Sequence, residues 1–151
     1  MSPDALHLIA RAHGVVAWIA TAALAVALPQ IFRAARGRVT IAISAAAAAA
    51  ITLCGVLGVL LEAAYRSRIR QQIFVRSPSL GWLFERKQHL AFGAIVLAWC
   101  TLSTMVAAQL SRDPERARDL HAAARLAGIV AAGLALAASV MAAIVARSAH
   151  F

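Results

Sequence analysis

His13 and His89 are the residues of this sequence best suited to chemistry. Each follows a basic residue by two positions, Arg11 and Lys87, and precedes a small one by four, Ala17 and Gly93. Each also stands at nearly the same distance from a Ser-Pro pair, eleven residues after Ser2 and twelve after Ser77. Imidazole at the membrane edge of an apolar helix is costly without a partner. Two histidines at equal depth on facing helices are the arrangement that holds a haem iron from both faces. Ala17 and Gly93, one turn further in, would give the flat macrocycle room, and Arg11 and Lys87 could pair with its propionates. With no CxxCH in the chain, the cofactor expected is a non-covalent haem b. The competing reading makes each histidine an interfacial residue bonded to water or a neighbour.

Glu62 is the one carboxylate inside an apolar run. It stands four residues before Arg66, so an ion pair along one helix face is its simplest role. It could also brace a ligand imidazole, or join His13 and His89 around a transition metal or pigment. His7, six residues before His13, lies off that face and is the substitute axial ligand. His121 opens the last apolar run at the opposite membrane side, where only Gln30, Thr40 and Ser44 are on offer, so no second histidine pair is expected. Cys54 and Cys100 lie inside apolar runs without CxxC or metal-ligand spacing and read as packed thiols. The chain has no GxSxG, HExxH, P-loop or GxGxxG, which argues for an electron carrier or accessory subunit over a stand-alone enzyme.

The elements that must position these residues can be read from composition. Of 151 residues, 62% are hydrophobic and 14% charged, with mean hydropathy +0.78. Soluble domains are closer to half apolar and a quarter charged, so one integral membrane domain, residues 1–151, is expected. The net charge of +9 would suggest nucleic acid in a soluble protein. Here the basic residues cluster at the ends of apolar runs, which points instead to anionic lipid headgroups. No nucleic-acid partner is expected.

Four helices are predicted, over about 3–36, 39–74, 78–111 and 114–147. Ser2-Pro3, Ser77-Pro78 and Asp113-Pro114 each place a capping side chain before a proline at the first helical position, where a missing N–H costs nothing. Ala25-Val26-Ala27 would permit signal-peptide cleavage, but the weakly basic start carrying Asp4 favours a retained first span. Ala45–Ala50 and Gly55/Gly58 in the second helix, and Gly128/Gly133 in the fourth, allow close helix approach. Short links make the whole an all-α, integral membrane, up-down-up-down four-helix bundle. The matching Ser-Pro, basic and histidine positions of helices one and three suggest a duplicated helical hairpin, with chance similarity in an alanine-rich chain the alternative. Eight Lys/Arg on the side of the termini against seven on the other do not set the orientation.

In helix count and paired histidines the chain resembles small four-helix membrane cytochromes, a likeness of architecture. The function expected is a small b-type cytochrome with haem between helices one and three, either an electron carrier or the haem subunit of a larger membrane redox complex. The alternative is a non-catalytic accessory or assembly subunit that packs against partner helices without a cofactor. Either is expected as a multi-pass protein of a bacterial inner membrane.

Overall fold

The computed structural model describes residues 3–33 and 37–148. Ser2, Arg36 and His150 lie outside them. The described chain is helical apart from its short links: α1 is Pro3–Phe32, α2 Arg38–Ala64, α3 Arg70–Arg76, α4 Pro78–Leu110 and α5 Pro114–Ser148. A π-helical turn, Tyr65–Ile69, joins α2 to α3. Four of these helices are long and apolar enough to cross a membrane, at Asp4–Phe32, Arg38–Ser67, Pro78–Leu110 and Pro114–Arg147.

The helix starts form where proline and a capping side chain meet. Ser77 is extended (φ −156°, ψ 101°) and its hydroxyl accepts from Leu80 N at 3.4 Å. Asp113 Oδ1 accepts from Glu115 N at 2.9 Å and Arg116 N at 3.4 Å. Each takes backbone donors that the first helical turn leaves without an internal acceptor. At the other end of α1, Arg125 reaches across to donate to Phe32 O at 3.3 Å, a cation at the negative end of the helix.

Around the bundle, α1 packs on α2, α2 on α4, α4 on α5, and α5 back on α1. Thus α1 and α4 occupy one diagonal, as the up-down order requires. The core is built mostly from alanine: Ala20 and Ala27 from α1, Ala47 and Ala48 from α2, Ala94 and Ala98 from α4, Ala124 and Ala135 from α5. Leu24, Ile31, Ile51 and Met105 fill the spaces between. Small residues let backbones approach, and in lipid that contact, more than burial from water, holds helices together. Thr21 and Ser139 bridge α1 to α5 with a buried bond of 3.0 Å. Trp99 Nε1 donates to Thr52 Oγ1 at 3.0 Å between α4 and α2.

A second, smaller cluster of Tyr65, Ile73 and Val145, flanked by Leu80, Leu83 and Phe84, closes the end of the bundle where α1 and α4 begin. The expected second helix, 39–74, is realised as α2, the π turn and α3. The π turn admits one extra residue per turn and so re-aims α3 relative to α2. It lets Tyr65 stack on Phe84 (centroids 4.0 Å apart) while Arg70 reaches Glu85 at 2.8 Å.

Candidate functional site

His13 points into the bundle because of its phase on α1. It stands eighteen residues before Ile31 and seven before Ala20, both buried. At about 100° per residue those separations bring it back to the same face. There it meets α2 at Cys54 and Gly58. His13 Nδ1 lies 3.1 Å from Cys54 O and 3.7 Å from Cys54 Sγ. A carbonyl can only accept, so the proton is on Nδ1 and Nε2 carries the lone pair. Gly58 makes the approach possible, since a Cβ there would lie 3.3 Å from His13 Cε1.

His89 takes a different position despite its matching sequence context. It lies five residues before buried Ala94, about 140° from the inward face of α4, and is exposed. Gly93, expected to leave room for a macrocycle, faces α5 instead, and a Cβ there would lie 3.1 Å from Leu134 Cδ1. Ala17 is half-buried and its carbonyl accepts from Thr21 Oγ1 at 2.8 Å. Arg11 is exposed, whereas Lys87 is half-buried with its ammonium 4.3 Å from the Phe84 ring centroid. The structure therefore joins His13 to α2 and leaves His89 on the outside of α4.

Glu62 makes the i,i+4 pair expected of it, with Arg66 Nε at 2.6 Å. Its other oxygen accepts from Gln88 Nε2 at 2.8 Å, so the carboxylate ties α2 to α4. Among the described residues no three His, Cys, Asp or Glu side chains come together as a metal site, so His13, His89 and Glu62 do not form one. His7 is exposed, and His121 is buried at the opposite end of the bundle.

Three participants escaped the reading of the sequence: Cys54 as the histidine's acceptor, Gln88 as the second partner of Glu62, and Glu85 as that of Arg70. The first left a trace, because Cys54 and Gly58 are four apart and share one face of α2.

This end of the bundle thus carries an imidazole with a free Nε2, two braced carboxylates and a half-buried ammonium. An imidazole whose Nδ1–H is held by a backbone carbonyl is oriented to act through Nε2, as base or as metal ligand. The chain matches no protein-family model, and comparison with curated proteins and with solved structures returned no match.

Proposed function

We propose that the protein is a non-catalytic subunit or assembly factor of a bacterial inner-membrane complex, docking a partner helix on the outward face of α4. The observation that carries this reading is the polarity of that face. Trp82, Arg86, His89, Phe92, Val96, Cys100 and Ser103 follow one another at three- and four-residue spacing, all exposed. Over their central turns the other spans expose only apolar residues: Val15, Trp18 and Ile19 on α1, Ala49, Leu53 and Val56 on α2, Leu126, Ile129 and Val130 on α5. Lipid tails offer nothing to a thiol, a hydroxyl or an imidazole, whereas a neighbouring helix does.

Cys100 is a native reporter of that face. Short-span thiol cross-linking in native membranes should join the chain through Cys100 to one partner of fixed mass. A cysteine placed at Val56 in a Cys100→Ser background should give no such product. Equal cross-linking from both positions would remove the reading.

A second reading, the small b-type cytochrome, draws support from the orientation of His13. Its Nδ1–H is held by Cys54 O, and Nε2 is left for an axial bond to haem iron. His89 would have to turn inward from the exposed face of α4 to supply the second. Protein purified from haem-replete cells should then show a Soret band that is lost in His13→Ala and His89→Ala and kept in His7→Ala and His121→Ala. A colourless wild-type preparation would exclude it.

A further inference from the structure

Where α1 meets α2, an imidazole and a thiol face each other inside the bundle. His13 Nδ1 lies 3.7 Å from Cys54 Sγ and 3.1 Å from Cys54 O. Both residues belong to membrane spans, and the Cys54 thiol is buried and unpaired with any other cysteine. Gly58 backs the ring, since a Cβ there would lie 3.8 Å from the same nitrogen, so the imidazole is held against this face of α2. With bonds of about 2.0 Å to nitrogen and about 2.3 Å to sulfur, a single ion would bridge the 3.7 Å gap at a ligand–metal–ligand angle of about 120°. The two atoms are therefore already spaced as ligands of one metal. The donor set is a thiol, an imidazole and a backbone carbonyl. Glu62, eight residues further along α2, is engaged by Arg66 and Gln88. Thiolate with imidazole selects soft ions such as copper(I) over hard, oxygen-seeking ones. The charged group that both residues feel is the ammonium of half-buried Lys87. A divalent ion taking the place of the thiol proton would add a positive charge beside that ammonium, where water screens little. A monovalent ion adds none.

We propose that His13 Nδ1 and Cys54 Sγ bind a soft monovalent metal ion, copper(I), between α1 and α2, with Cys54 O as a weak third donor. The ion displaces the thiol proton, which leaves to solvent, and a sulfur–metal bond replaces the S–H bond. The imidazole proton moves from Nδ1 to Nε2, so that Nδ1 offers its lone pair to the ion. No electron is transferred, and the net charge beside Lys87 is the same before and after. This site needs neither a partner docked on α4 nor a haem, and it uses the other nitrogen of His13 from the one a haem iron would take.

The test is anaerobic titration of the detergent-purified full chain with copper(I), supplied as its bicinchoninate complex, and separately with zinc(II). A Cys100→Ser background removes the exposed thiol. In that background the chain should retain a single copper(I) ion against the chelator, and adding Cys54→Ser or His13→Gln should abolish retention. Zinc(II) should bind far more weakly than copper(I), and Lys87→Gln should narrow that difference by strengthening zinc(II) alone. Copper(I) retained equally after Cys54→Ser would overturn the proposal, as would zinc(II) bound as tightly as copper(I). Nitrogen-15 NMR of the imidazole decides the matter without a substitution at either ligand: copper(I) should shift the His13 Nδ1 resonance and move its proton to Nε2. A His13 spectrum that does not respond to copper(I) would also overturn it, whether or not any variant folds.

Discussion

At the scale of single residues, the contact between His13 and Gly58 decides how the imidazole is held. A methyl group at residue 58 would meet the imidazole at 3.3 Å, so Gly58→Ala should push His13 away from Cys54 O. Overpacking of this kind typically costs about 1–3 kcal/mol. Nitrogen-15 NMR of the imidazole would check it: wild-type protein should show a protonated Nδ1, and Gly58→Ala a loss of that fixed tautomer. An unchanged spectrum would mean that Gly58 is not what admits the ring. The pairing of Glu62 with Arg66 was legible from their four-residue spacing, and the Ser77 and Asp113 caps from the prolines beside them. The divergence of His13 and His89 was not. Both carry the same neighbours in sequence, but only helix phase separates inward from outward, and lipid-facing residues here are as apolar as buried ones. Hydrophobic periodicity, which reveals phase in a soluble helix, is therefore almost silent.

Among the elements, α1 and α5 are joined by the buried Thr21–Ser139 bond of 3.0 Å. Thr21 Oγ1 also bonds Ala17 O at 2.8 Å, so its proton is spent on the backbone and Ser139 is the donor between the helices. A double-mutant cycle with Thr21→Val and Ser139→Ala should give a coupling of about 0.6 kcal/mol, with about 1.7 kcal/mol an upper bound for such pairs in membranes. Reversible unfolding in mixed micelles would measure it, and additive effects would show that the helices are held by packing alone. The π turn invites a separate test. Deleting Ser67 should restore ordinary helical pairing and rotate α3 by about 100°. Arg70 would then lose Glu85, Ile73 would leave its cluster, and the thermal midpoint should fall with all four spans still inserted. Helix number and order were readable from apolar runs and prolines. The π turn was not, because the contacts it serves, Tyr65 on Phe84 and Arg70 with Glu85, join residues far apart in sequence that no local pattern announces.

For the whole molecule, the alanine-built core sets how the chain tolerates change. Ala48 is fully buried where α2 meets its neighbours, and leucine there has no space to enter. Ala48→Leu should destabilise the bundle by about 1–3 kcal/mol, read from unfolding in detergent, while Ala49→Leu on the exposed face should be neutral. Reporter fusions after residues 35, 76 and 116 and at the C-terminus should alternate in sidedness, with the C-terminal reporter on the same side as that at 76. Any other order would contradict the four-span bundle.

The α2–π–α3 rod covers Arg38–Arg76, 39 residues, against 30 for α1. At about 1.5 Å per residue the rod is about 58 Å long and α1 about 45 Å. The hairpin tip at Ser77 therefore ends a longer helical path than α1 offers, one re-aimed at the π turn. The Arg70–Glu85 pair and the Phe74–Trp82 contact lie in that longer arm and tie it to the start of α4. Anything approaching from the aqueous side would meet that longer arm, with its exposed Trp82, Arg70 and Arg76, before the apolar spans.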